Sequence, residues 1–244
     1  MTFSKPSQAP NCSGPNPINR FFELRAPLEW ATLPLSAPYL LTAPKGDGRP
    51  VLLAPGYMAG DGSMLPLELY LKHLGYNAKS WGLGTNRGNV EGDILRLGDV
   101  VQELFELNNG QRITLIGWSL GGVVAREVAR LYESCVREVI TMGTPIIGGP
   151  KYTAVGKLFA QSQDLNLDEF ENEVHERNSV GLSQPVTSIY SKLDGVVGWR
   201  ASIDVYNPQA RNIEVSTSHV GLGGSPRVWR IIADTLGSAD AGRN

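Results

Sequence analysis

One stretch of this sequence concentrates what covalent chemistry would need: Arg112-Ile113-Thr114-Leu115-Ile116-Gly117-Trp118-Ser119-Leu120-Gly121-Gly122-Val123-Val124-Ala125. A β-branched and apolar run ends in Gly-x-Ser-x-Gly, and a helix-forming run follows at once. Ser119 therefore stands on a sharp strand-to-helix turn that would lift its hydroxyl clear of a sheet. Glycine is needed at 117 and 121 because a Cβ there would strike the neighbouring strand or helix. A serine hydroxyl is a poor nucleophile at neutral pH and needs a base within hydrogen-bond reach. Imidazole suits the task, since its ordinary pKa lies near physiological pH.

The chain has three histidines. His73 falls late in an expected helix and His175 in a long irregular stretch, so both read as surface or capping residues. His219 instead occupies Ser216-Thr217-Ser218-His219-Val220-Gly221-Leu222, a loop after a late strand. Such a base needs an acceptor that fixes its tautomer and stabilises the imidazolium. Asp194, in Ser191-Lys192-Leu193-Asp194-Gly195, is placed for that role just past another strand. Asp204 is the second candidate, further past the strand and without a glycine beside it.

These residues must be positioned by regular elements, and the pattern supplies them. Val51–Ala54 is a short, wholly apolar run of the kind that forms a strand buried on both faces. A glycine-rich loop, Pro55 to Ser63, then leads to a helix over residues 64–74 with Leu65, Leu69 and Leu74 toward the core. Residues 77–82 read as a strand, and 90–107 as an amphipathic helix with Ile94, Leu97, Val101, Leu104 and Phe105 on one face. After the Ser119 strand, Val123, Val124, Val128 and Leu131 give the next helix its apolar face, with Arg126, Glu127 and Arg130 toward water. Strands follow at 138–142, 185–190 and 212–215, and a last helix at 226–236. This alternation predicts a doubly wound, mostly parallel α/β sheet with flanking helices. Asp194 and His219 then sit at carboxyl ends of strands, where open α/β sheets build their sites.

Residues 146–184 are too long for an ordinary connection, and they predict a small cap or lid insertion. It has helical patches at Val155–Ala160 and Leu167–Glu176. Tyr152, Leu158, Phe159 and Phe170 are its candidates for lining an acyl pocket. Residues 1–49 form an amino-terminal arm ahead of the domain at 50–244. Its first 19 residues, rich in Pro, Ser and Asn, are expected to be poorly ordered. Residues 26–43 are apolar but interrupted by prolines and Glu29, which argues against a transmembrane helix. They suit an arm packed on the body, with weak peripheral membrane contact as the lesser possibility.

The 244 residues suffice for one large α/β domain, and a net charge of −2 favours neither nucleic acid nor an anionic surface. Cys12 and Cys135 lie far apart and form no disulfide framework. Read as free thiols, and with no basic, apolar leader ahead of them, they suggest a cytoplasmic protein. No histidine, cysteine or carboxylate cluster has metal-ligand spacing, and no phosphate-binding glycine motif with a lysine occurs, so no metal or cofactor is expected.

Over residues 50–236 the chain resembles the α/β-hydrolases of the bacterial esterase/lipase type. The likeness rests on the APGY loop, GWSLGG, the MGTP turn, YSKLDGVV and SHVGL, and on the chain order Ser, Asp, His. The loop departs from many relatives in having Pro55-Gly56 where they have His-Gly. The resemblance implies a catalytic triad of Ser119, His219 and Asp194 that cleaves an acyl ester through an acyl-serine intermediate. It also implies an oxyanion hole made of backbone N–H groups, from Leu120 and from Tyr57, with Met58 the alternative to Tyr57. GWSLGG is similar as well to the pimeloyl-carrier-protein methyl esterases, so the elbow alone does not choose a substrate. An acyltransferase or thioesterase would use the same triad. A non-catalytic binding protein would have no need of it.

Overall fold

The computed structural model describes residues 9–241. Six strands form one sheet: β1 (Pro50–Ala54), β2 (Asn77–Ser80), β3 (Ile113–Trp118), β4 (Val136–Met142), β5 (Val186–Ser191) and β6 (Arg211–Val215). Their spatial order is β2-β1-β3-β4-β5-β6, and every neighbouring pair is parallel. The helices are α1 (Pro17–Phe22), α2 (Ala26–Ala31), α3 (Ala37–Leu41), α4 (Asp61–Leu74), α5 (Val90–Leu107), α6 (Leu120–Leu131), α7 (Gly156–Gln163), α8 (Leu167–Ser179), α9 (His219–Leu222) and α10 (Pro226–Ala241).

Successive strand residues alternate between faces, so the continuous apolar strands feed two cores. Leu53, Ile116, Ile140 and Ile189 pack on one face with Leu67 and Leu71 of α4 and Ile232 and Leu236 of α10. Leu52, Leu115 and Val139 pack on the other with Leu97 and Val101 of α5 and Val124 and Val128 of α6. Each such side chain, fully buried, contributes about 1.5–3 kcal/mol. The doubly wound parallel sheet expected from the alternation is the sheet observed.

Several side-chain assignments differ from expectation. Helix α4 begins at Asp61, and its buried stripe is Met64, Leu67, Leu71 and Leu74, while Leu65 and Leu69 are exposed. The i, i+3, i+4 spacing is kept but falls on the neighbouring residues. Leu131 is exposed at the end of α6. Arg126 and Glu127, expected toward water, are buried. Arg126 pairs with Asp204 at 2.7 Å, and Glu127 pairs with Arg130 and with Arg177 of α8, each at 3.2 Å. The polar side of α6 is thus covered by later segments that supply charge partners.

The arm also differs. Residues 1–8 lie outside the described residues, but a helix starts at Pro17, capped by Asn16, whose side chain accepts from Ile18 N–H. Asn19 is buried, and its Nδ2 donates to the carbonyl of Lys192 at 2.8 Å. Between residues 16 and 19 the arm is therefore held by side-chain bonds that composition does not disclose.

Candidate active site

The turn after β3 holds Ser119 at φ 53°, ψ −122°, a strained conformation for a residue with a Cβ. The glycines around it make the turn possible. A Cβ on Gly117 would lie 2.3 Å from Gly122 Cα, and one on Gly121 would lie 2.3 Å from the Ala54 carbonyl oxygen. The turn is fixed to β4 by Ser119 N–H, which donates to the Met142 carbonyl at 2.8 Å.

Asp194 follows β5 and His219 opens α9 after β6. His219 Nδ1 lies 2.7 Å from Asp194 Oδ2, and both residues are buried. Asp194 Oδ1 accepts from Val196 N–H at 2.8 Å and Val197 N–H at 2.7 Å, which fixes the carboxylate plane. Gly143, at φ 56° after β4, completes the cradle: a Cβ there would sit 3.0 Å from His219 Nδ1 and 3.1 Å from Asp194 Oδ2. The glycine of the MGTP turn is thus required both by its backbone and by the pair it touches. Trp118 Nε1 donates to the His219 carbonyl at 3.3 Å.

Burial alone would push the His219 imidazole down, because it disfavours the charged ring. The Asp194 charge and hydrogen bond, with a further contribution from the Glu23 charge, outweigh that and hold its pKa above the ordinary value. With Nδ1 committed to Asp194, Nε2 is the nitrogen left for a hydroxyl.

Ser119 and His219 line the same cavity, of about 350 Å³, with Trp118, Val123, Phe159 and Val197 among its mostly apolar walls. A second cavity of about 290 Å³ shares Leu120, Val123, Pro145, Gly149 and Phe159 with it and is lined also by Arg126, Glu127 and Phe170. At the loop after β1, Gly56 brings backbone against Ser119, since a Cβ there would be 3.2 Å from Ser119 Cβ. Met58 N–H is already committed to the Asn86 carbonyl at 2.7 Å.

The remaining candidates go elsewhere. Asp204 belongs to the Arg126 pair. His73 is exposed, and His175 Nδ1 lies 3.2 Å from the Tyr206 hydroxyl. Within the insertion, Phe159 lines both cavities and Phe170 the second. Leu158 is 69% exposed and lines neither, a correction to its expected place in the pocket. Tyr152 likewise lines neither of these two cavities. It packs into a small core with Ile146, Val197 and Tyr206, and its hydroxyl bonds Glu171. Adjacent helix positions are turned about 100° from one another, and sequence alone could not say which of Leu158 and Phe159 turns inward.

No group of three or more potential metal ligands occurs among the described residues. Nor is any helix there long and apolar enough to cross a membrane.

No protein-family model matches this sequence, and no curated protein matches it. Solved structures do. A monoacylglycerol lipase of Paleococcus ferrophilus superposes with a TM-score of 0.60 at 15% identity, over 80% of this chain and 96% of that one. A mature lipase of Bacillus licheniformis gives 0.59 at 13% identity, over 80% and 94%. An alpha/beta hydrolase enzyme from a lagoon-sediment metagenome of Mar Chica, Morocco, gives 0.57 at 16% identity, over 80% and 94%. At such identities the likeness is one of fold, and it agrees with the parallel sheet and the strand-end site: this chain has the α/β-hydrolase fold.

Proposed function

We propose that the protein is a serine carboxylic-ester hydrolase, an esterase or lipase, that cleaves a lipid-like acyl ester through an acyl-Ser119 intermediate. One observation carries this reading: Ser119, on its strained turn, shares an apolar cavity with His219, whose Nδ1 is held by Asp194. In this mechanism His219 Nε2 takes the Ser119 proton as Oγ bonds the carbonyl carbon. The C–O bond to the leaving alcohol then breaks, and His219 returns the proton to that alcohol. Water repeats the sequence to release the acid and regenerate Ser119. Asp194 keeps the imidazole in the required tautomer and stabilises its charged form. The transient oxyanion accepts from Leu120 N–H and Tyr57 N–H. The commitment of Met58 N–H to Asn86 is what favours Tyr57.

The apolar cavity suits an acyl chain, with the insertion at 146–184 as its cap. The lipases among the fold relatives support the same substrate class. Leu28 and Leu35 of the arm, both exposed, are where peripheral contact with a lipid surface would fall. Both cysteines are free, which suits a reducing compartment such as the cytoplasm. A panel of p-nitrophenyl esters from acetate to palmitate tests the activity. Turnover that rises beyond acetate is expected, and absence of turnover across the panel would contradict the reading.

A further inference from the structure

We infer that Glu23, in the arm, is a positioning residue for the Asp194–His219 pair, so that the segment from Asn19 to Trp30 forms part of the active site. The inference rests on the catalytic reading of that pair. Glu23 lies in the single turn between α1 and α2, and its carboxylate reaches both loops that carry the acid and the base. Oε1 accepts from Gly195 N–H at 2.8 Å and from His219 N–H at 2.8 Å, and Oε2 accepts from Val220 N–H at 3.0 Å. Gly195 follows Asp194 directly, so one side chain ties the residue after the acid to the backbone of the base. These loops leave separate strands, and their relative placement sets the Nδ1 to Oδ2 distance.

Neighbouring arm residues grip the same loops. Asn19 Nδ2 donates to the Lys192 carbonyl at 2.8 Å and to the Asp194 carbonyl at 3.4 Å. Glu29 accepts from Ser218 N–H at 3.1 Å, and Arg25 holds Glu29 at 2.8 Å. Trp30 Nε1 donates to the Val220 carbonyl at 3.1 Å. The fit is close enough to dictate glycine at 195, where a Cβ would lie 2.5 Å from the Asn19 carbonyl oxygen; one on Gly221 would meet Glu29 Oε2 at 1.8 Å and Thr217 Oγ1 at 2.4 Å. Gly195 has no positive φ, so the arm, rather than the turn, explains it.

The chemistry asks for a carboxylate. Three N–H donors converge on it, and an amide in its place would point its own N–H groups at some of them. Its charge also reaches the imidazole. Asp194 and Glu23 are the charges that raise His219, and Glu29 bonds the residue before it. An arm that merely covered apolar surface would bring neither effect.

The test is Glu23→Gln in the full-length protein, with melting temperature, ester kinetics and the NMR titration of His219 measured together. Near-native melting is expected, with kcat lower by about 10- to 100-fold and KM little changed, as for a catalytic group displaced by a fraction of an ångström. The His219 titration should move to lower pH, because one of the charges that raises it is gone. Glu23→Asp, which keeps the charge on a shorter stem, is the second variant. It should lose less kcat and hold the His219 titration nearer to wild type. An unchanged His219 titration in folded Glu23→Gln would overturn the inference; should that variant fail to fold, wild-type kcat in Glu23→Asp would overturn it instead, since the shorter stem cannot hold all three N–H groups. The titration needs no turnover, so an inactive wild-type protein would sink the esterase reading and still leave this one tested.

Discussion

Arg126 Nη1 donates to Asp204 Oδ2 at 2.7 Å, while Asp194 Oδ2 stands 2.7 Å from His219 Nδ1. The two aspartates that compete for one role in the sequence are thus committed to different partners, and their substitutions should separate cleanly. Asp194→Asn should cost roughly 10³–10⁴ in kcat with the fold retained, because the amide favours the wrong imidazole tautomer. Asp204→Asn should leave kcat near wild type and cost stability instead. It strips the charge partner from buried Arg126, a loss of about 3–5 kcal/mol. For a chain of this size that lowers Tm by roughly 6–20 °C. Kinetics and thermal melts on the two variants check this, and the reverse assignment of effects would show the acid to be misplaced.

The raised pKa of His219 fixes the sign of the pH dependence. Under the proposed mechanism His219 acts as a neutral base, so kcat/KM should fall as pH drops through that pKa, with the midpoint above the ordinary imidazole value of about 6.5. The same shift stabilises the fold below the unfolded pKa, and that contribution is lost as pH rises through the folded one. Asp194→Asn leaves burial as the dominant influence, so an NMR titration should find His219 below its ordinary value in that variant. A wild-type kcat/KM midpoint at or below about 6.5 would contradict the geometry.

Phe159 and Leu158 offer a matched pair within the insertion. Phe159 lines the cavity that holds Ser119, and Leu158 is exposed. Phe159→Ala should remove about 1–3 kcal/mol of contact with a long acyl chain and little with acetate. The long-to-short ratio of kcat/KM should then fall roughly 5- to 150-fold. Leu158→Ala should leave the ratio unchanged. A lower Tm for Phe159→Ala with a constant ratio would make the insertion a brace and not part of the pocket.

Much of this was legible because backbone geometry leaves a signature in the sequence. Gly117 and Gly121 mark the turn that lifts Ser119, and continuous apolar runs mark strands buried on both faces. What was hidden depends on partners distant in the chain. Arg126 looks solvent-facing until Asp204 comes to pair with it, 78 residues away. The arm, read in part as poorly ordered, carries Glu23, whose acceptors' partners lie 172 and 196 residues away. A lone glutamate near a proline-rich terminus has no local pattern to betray such bonds. The glycine at 195 was the available trace, since a glycine with ordinary backbone angles signals close approach by something else.

The central claim is that Ser119 is a nucleophile activated by His219. A fluorophosphonate probe tests it most directly, because phosphonylation of the serine Oγ needs the same activation as attack on an ester. The account predicts one covalent adduct, located at Ser119 by peptide mass spectrometry, that is absent from Ser119→Ala. That variant should also lose on the order of 10⁴–10⁶ in kcat toward p-nitrophenyl esters. An undiminished turnover in Ser119→Ala, or labelling at another residue with Ser119 unmodified, would contradict the account.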